Sequence, residues 1–207
     1  MCKLKSAIIL KDRIFMPDYD SHSKMLEELG ITDDYINASK VFVRAELSPE
    51  NEDVFSDIDS WEFSVDQDIT PEWFDEKDCA ERMRKAVKEW AKTHIFIGQN
   101  ELKISHGENI FIKDCKNVDI CGSATVNYIC DNATVNYICG SATVNYICGN
   151  ATVKNIYGNV TVISSPYTKW NNSASLIIAD NATFKDCYSK TIYQAGGWKF
   201  VEVKKGK

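Results

Sequence analysis

No apolar run in the chain approaches the ~18 residues that a membrane span needs. The opening MCKLKSAIILKDRIF offers only AIIL where a secretory signal would carry a much longer apolar core. Both absences are those of a soluble, cytoplasmic protein with no membrane partner. Histidine is scarce, three in 207 residues, and no two lie close in sequence. There is no Gly-rich phosphate loop, no nucleophile elbow and no HExxH. No catalytic residue, cofactor or metal is therefore expected. Cysteine is plentiful, eight in all, yet no two stand at the CxxC spacing of zinc sites. Cys121, Cys130, Cys139 and Cys148 share one position of a repeat, beside Ala, Val and Ile. In a reducing cytosol they read as buried free thiols filling a core, neither metal ligands nor disulfides.

Charge is unevenly spread. Residues 1–100 hold 22 acidic and 13 basic side chains, a net of −9, whereas 101–207 hold 8 and 11, a net of +3. Within 46–81, 14 carboxylates face Lys77 alone, so 36 residues carry −13. Such a surface repels nucleic acid directly and attracts the basic face of another protein. The candidate contact residues are Asp53, Asp57, Asp59, Asp66, Asp68, Glu72, Asp75 and Glu76.

The first hundred residues have the pattern of an acidic α/β head. AIILKDRIF reads as a strand, and Asp18, Asp20 and Ser21 precede a short helix over 22–29 that stops at Gly30. VFVRAEL at 41–47 alternates, with Val41, Val43, Ala45 and Leu47 on one side, and Trp61, Phe63 and Val65 do the same. Both predict strands with one wet face. A long helix is expected from Pro71 to about Thr93, with Thr70 as cap and Pro71 in the first turn. Its apolar stripe would be Trp73, Ala80, Met83, Val87 and Trp90. IFIG at 95–98, LKI and NIFIKDC form the joint to the second region.

From Cys121 the chain repeats every nine residues: CGSATVNYI, CDNATVNYI, CGSATVNYI, CGNATVKNI, YGNVTVISS. IKDCKNVDI is a degenerate earlier copy, 166–178 interrupts the series, and ADNATFKDC at 179–187 restores it. A fixed short period marks a solenoid. Within the phrase, Ala and Val at positions four and six flank a polar Thr, which is a short strand with an apolar inner edge. Position two is Gly or Asp and position three Asn or Ser, residues that tolerate a left-handed corner. One nonapeptide is a strand and a corner, and two would close a coil of 18 residues. The fold class expected is thus an α+β N-terminal domain (1–100) followed by a short C-terminal β-solenoid, or β-helix, of about three coils (101–207). Tyr128, Tyr137 and Tyr146 would stripe its outside, with Thr125, Thr134, Thr143 and Thr152 on flatter faces. PYTKWNNSASLII and TIYQAGGWKFVEV would cap the end, with Trp170 and Trp198 as lids and Gly196-Gly197 as a hairpin turn.

Known repeat classes fit poorly. Calcium-binding nonapeptides need Gly and Asp at fixed sites, and the five contiguous repeats from Cys121 place a corner Asp only at Asp131. Nothing here has the period of six or five found in acyltransferase helices and pentapeptide DNA mimics. The Thr-x-Asn pairs resemble antifreeze ranks only superficially, since Thr favours exposed strand positions anyway. GNATV at 149–153, DNATV at 131–135 and DNATFKDCYSKTIYQ at 180–194 behind an acidic head resemble a loose group of uncharacterised bacterial and phage proteins. The resemblance covers the whole chain and implies a mobile-element setting, where non-enzymatic inhibitors of host defence are common. It carries no catalytic residues with it.

The expected function is a non-catalytic binding protein, phage- or prophage-encoded, inhibiting a host macromolecule through acidic mimicry by the head. One alternative is an oligomerisation scaffold built on the solenoid, giving a homo-oligomer. The other is an enzyme or small-ligand binder using Asp18, Asp20 and His22, a cluster that also reads as a turn and helix cap.

Overall fold

The computed structural model describes residues 5–164, 177–194 and 201–202. The chain divides into two compact units, Met1–Lys92 and Thr93–Lys207.

In the first unit, β1 (Lys5–Leu10), β2 (Ile14–Phe15), β3 (Phe42–Ser48) and β4 (Glu62–Val65) form an antiparallel sheet in the order β2-β1-β3-β4. The helix α1 (His22–Glu28) starts where the Ser21 hydroxyl accepts from the Lys24 amide at 3.4 Å. It buries Met25 and Leu26 against Ile8, Leu10 and Phe42. Each such side chain, fully buried, contributes roughly 1.5–3 kcal/mol. That packing overturns the expectation of one wet face on the 41–47 strand. Val43, Ala45 and Leu47 are buried on one side, and Phe42 and Glu46 are buried on the other. Alternation of residue type hides a strand covered on both faces.

A short α2 (Tyr35–Ala38) follows, capped by the Asp34 carboxylate accepting from the Asn37 amide at 2.8 Å. The long helix α3 (Glu76–His94) begins five residues later than the sequence predicts. Asp75, rather than Thr70, is its cap, its carboxylate accepting from the Asp78 amide at 2.9 Å. Pro71–Phe74 close a separate turn, and the Trp73 indole donates to the Lys40 carbonyl at 3.0 Å, which takes Trp73 off the helix stripe. Cys79, Ala80, Met83, Val87 and Trp90 are buried as that stripe. The Arg82 guanidinium donates to the Leu10 carbonyl at 2.8 Å, tying α3 to β1.

The second unit is a β-solenoid of about four turns rather than three. Its strands are β5 (Ile95–Ile97), β6 (Lys103–Ile104), β7 (Ile110–Lys113), β8 (Val118–Ile120), β9 (Thr125–Cys130), β10 (Thr134–Ile138), β11 (Thr143–Ile147), β12 (Thr152–Ile156), β13 (Thr161–Ser164), β14 (Ile177–Ile178), β15 (Thr183–Asp186), β16 (Thr191–Gln194) and β17 (Val201–Glu202). Alternate strands stack in parallel into two sheets, β5-β7-β9-β11-β13-β15 and β6-β8-β10-β12-β14. The uninterrupted two-strand turns are β5–β6, β7–β8, β9–β10 and β11–β12, so winding starts at Ile95, ahead of the recognisable repeats. The segment expected to be a joint is the first turn.

Two nonapeptides make one turn. Thr125 pairs with Thr143 and Thr134 with Thr152, each step being 18 residues. Ala124, Val126 and Ile129, with their equivalents in later turns, fill a continuous core at or near zero exposure. Position two of the phrase is left-handed throughout, with φ of 62° at Gly122, 56° at Asp131, 75° at Gly140 and 63° at Gly149. At the far end β16 turns back antiparallel on β15, and β17 on β16, which ends the parallel stacking. Trp170, Trp198 and the Gly196-Gly197 pair lie outside the described residues.

Candidate functional site

The acidic segment of the head contains carboxylates with different jobs. All eight candidates are exposed, but several are spent on structure. Asp53 accepts from the Phe55 amide and Asp57 from the Asp59 amide, both at 3.0 Å, which are turn and cap bonds. Asp75 caps α3, and Asp59 pairs with Lys88 at 2.6 Å. Glu76 lines a groove of about 590 Å³ with Glu62, Lys77 and Arg84, where two acids face two bases. That groove is electrostatically neutral.

Asp66 and Asp68 behave differently. With Asp33, Asp34 and Tyr35 they line a cleft of about 680 Å³ in which Arg44 is the one lining cation, so four carboxylates against one guanidinium leave −3. Arg44 is ion-paired with Asp33. Gln67 builds this wall. Its side-chain oxygen accepts from the Arg44 amide at 2.8 Å, while its amide nitrogen donates to the carbonyls of Ala38, Phe42 and Ile69 at 3.3, 3.2 and 2.5 Å. One side chain thereby stitches the loop after β4 to β3 and α2. Tyr35 and Ile36 stand beside the acids at 70% and 64% exposure, apolar surface that a monomer gains nothing by exposing.

The cluster Asp18, Asp20 and His22 does not assemble. Asp20 turns inward, accepting from Lys5 Nζ at 3.2 Å and from the Ser6 amide at 3.0 Å. The cap is Ser21. His22 turns the other way, with Nδ1 3.2 Å from Asp66 Oδ2 and Nε2 3.2 Å from the Ala45 carbonyl. His22, Glu46 and Asp66 bring one ligand-type atom each within 4.8 Å of one another. The partner of His22 lies 44 residues away, so no local motif announced it. Cys79 is 1% exposed, and burial pushes its thiol pKa up, away from nucleophilic use.

On the solenoid the outward ladders split between two faces, because successive repeats alternate sheets. Phe111, Tyr128 and Tyr146 stack on one, with centroids 5.8 and 5.6 Å apart. Tyr137 belongs to the other, edge-on to Tyr157 at 6.2 Å. Thr125, Thr143, Thr161 and Thr183 form one rank and Thr134 with Thr152 another. An asparagine ladder was not anticipated: Asn145 donates to Asn127 and Asn127 to Asn109, each at 3.0 Å. Its signal was the invariant Asn after the first three Ala-Thr-Val triplets. These bonds satisfy amides from turn to turn along a regular face.

The cysteines correct the expectation of free thiols. Cys121 and Cys139 form a disulfide, their Cα atoms 4.5 Å apart. A nine-residue spacing looks remote from any pairing motif, but two repeats per turn place alternate cysteines one above the other, within bridging range. At the opposite corner Cys130 donates its S–H to the Ile112 carbonyl at 3.6 Å, and its interaction with the neighbouring thiol of Cys148 pulls the Cys148 pKa down and pushes that of Cys130 up. In limited alkylation at neutral pH, followed by peptide mass spectrometry, Cys148 is expected to react before Cys130 and Cys115. Equal rates would show that the two thiols do not influence each other.

The geometry defines a β-solenoid protein with an α+β head carrying an acidic cleft. Comparison with family models, curated proteins and solved structures finds no match for the chain. Among the described residues no helix is long and apolar enough to cross a membrane.

Proposed function

We propose that the protein is a non-catalytic binding protein whose head grips a basic face of a macromolecular partner. The observation that carries this is the cleft beside α2, with its excess of −3 and the exposed Tyr35 in its lining. Carboxylates steer a cationic surface in, and an aromatic ring beside them receives a guanidinium or ammonium on its face. The anchor-plus-charged-rim arrangement is that of a binding hot spot. The resemblance to phage proteins makes a host protein the partner class, and inhibition the consequence of covering its basic surface. The solenoid is the stand that carries the head.

The test is capture from host lysate, quantified by mass spectrometry against Asp68→Lys and Tyr35→Ala. Neither residue caps a helix or closes an ion pair among the described residues. A specific partner should be lost roughly tenfold or more in both variants, and should weaken steeply as salt is raised past about 0.15 M. A partner retained by Asp68→Lys at high salt would refute the acidic-cleft reading.

A second reading, the solenoid as oligomerisation stand, is favoured by the sheet ends. β5 and β6 are the terminal strands of their parallel sheets, and terminal strands offer backbone groups to another chain. Multi-angle light scattering on the full chain decides it: a monomer at every concentration tested removes this reading.

A further inference from the structure

We infer that His22, Glu46 and Asp66 bind one first-row divalent cation of the Mn²⁺ or Zn²⁺ class, a site that couples α1, β3 and the loop after β4.

His22 opens α1, Glu46 lies in β3, and Asp66 follows β4 directly. Their ligand-type atoms lie within 4.8 Å of one another. His22 and Glu46 are 6% and 8% exposed, whereas the Asp66 side chain is 62% exposed. The site therefore has a buried floor and an open mouth. The tautomer follows from the backbone. A carbonyl only accepts, so the 3.2 Å contact of His22 Nε2 with the Ala45 oxygen puts the ring hydrogen on Nε2. Nδ1 then presents its lone pair to Asp66 Oδ2 at 3.2 Å. Two acceptors at that distance must be joined by a proton or by a cation. Two donors bound at about 2.0–2.2 Å, at angles between tetrahedral and octahedral, lie roughly 2.9–3.5 Å apart, which brackets the observed separation.

The surroundings have the character of a metal site. A ligating imidazole usually donates its second nitrogen to a carbonyl, which fixes the ring and raises its basicity. Asp66 is held on its own side, its amide donating to the Arg44 carbonyl at 2.9 Å. The next residue, Gln67, is the four-bonded stitch described above. One imidazole and two carboxylates, with no thiolate, select Mn²⁺, Fe²⁺ or Zn²⁺ over soft ions. Because Asp66 also lines the acidic cleft, a bound cation would withdraw one carboxylate from the cleft wall and leave coordination positions facing it. The inference does not depend on the proposed partner.

Mn²⁺ is the probe, because thiols bind it poorly and the free cysteines do not compete. Free Mn²⁺ is measured by electron paramagnetic resonance during titration into the full chain. The expected result is saturation at one ion per chain, weakened roughly tenfold or more by Asp66→Asn and by Glu46→Gln. Asp68→Asn, in the same cleft, should leave the affinity unchanged. Saturating Mn²⁺ should also raise the melting temperature of the wild type but not of Asp66→Asn. Asp66 is exposed, so that variant remains folded even if Glu46→Gln does not, as circular dichroism would show. Absence of saturable binding means that a proton joins His22 to Asp66, and overturns the proposal. Binding untouched by Asp66→Asn, or equally weakened by Asp68→Asn, overturns it as diffuse attraction to acids.

Discussion

Replacing Gly140 by valine is expected to remove roughly 3–5 kcal/mol from the stability of the solenoid, enough to melt its middle turns under ordinary conditions. Gly140 has φ of 75°, where a β-branched residue is strongly disfavoured. It is also stacked. A Cβ placed there would lie 2.7 Å from the Gly122 carbonyl oxygen and 2.8 Å from the Gly122 nitrogen. One turn later, a Cβ on Gly158 would meet the Gly140 oxygen at 2.6 Å. These neighbours are backbone in adjacent turns, fixed by the parallel ladder, so neither can step aside without breaking pairing. Strain and clash therefore add. Gly98 supplies the control within the same unit. Its φ is 64°, but nothing lies within 4 Å of the Cβ position, so Gly98→Ala should cost only the left-handed strain, about 1–2 kcal/mol. Urea denaturation followed by far-UV circular dichroism measures both. A Gly140→Val protein within about 1 kcal/mol of wild type would mean that the turns are not stacked in this register.

The same corner shows why the solenoid was legible. Strand alternation and left-handed corners are local properties written in each nonapeptide, so the inward Ala124 and Val126 and the positive φ at Gly122 and Asp131 follow from residue type alone. The first turn was missed because it obeys the physics without the words. Leu102 and Ile104 fill the same core as Ala and Val do later, in a stretch that shares no phrase with the repeats, whereas IKDCKNVDI was legible as a degenerate copy. The tyrosines expected to stripe the outside divide between two faces for a geometric reason. A period of nine with two repeats per turn sends Tyr128 and Tyr146 to one face and Tyr137 to the other. That arithmetic also joins Cys121 to Cys139. In the head, acidity was readable as composition, but its division into caps, ion pairs and the cleft was not. Whether a carboxylate caps a helix, as Asp75 does, or stands in a cleft, as Asp68 does, depends on which strand comes to lie beside it. The pairing of His22 with Asp66 is of this kind, decided by the β3–β4 register and by Gln67.

Asp20→Ala is expected to destabilise the head by roughly 3–5 kcal/mol, the cost of leaving one member of a buried ion pair alone. Lys5 is 0% exposed, and its ammonium reaches the Pro17 carbonyl at 2.8 Å, Asp20 Oδ1 at 3.2 Å and the face of Trp90 at 5.1 Å from the ring centroid. Truncating Asp20 removes the only anion among these and also strips the Ser6 amide of its acceptor at 3.0 Å. A carbonyl and an aromatic ring do not replace a carboxylate for a charge taken out of water. The partner substitution separates charge from packing. Lys5→Met keeps the apolar stem and removes the ammonium, so Lys5→Met/Asp20→Ala should recover most of the loss, as coupled buried charges do in double-mutant cycles. Urea titration of the four proteins gives the coupling directly. Additive losses would show that Asp20 acts through the Ser6 amide alone, and an Asp20→Ala cost under about 1 kcal/mol would show that water already reaches Lys5. The folded Asp20→Ala protein should bind Mn²⁺ as wild type does, because Asp20 turns toward Lys5 while His22 turns toward Asp66. Two residues separated only by Ser21 then have separable tasks, one holding the buried ammonium and the other facing the cleft wall.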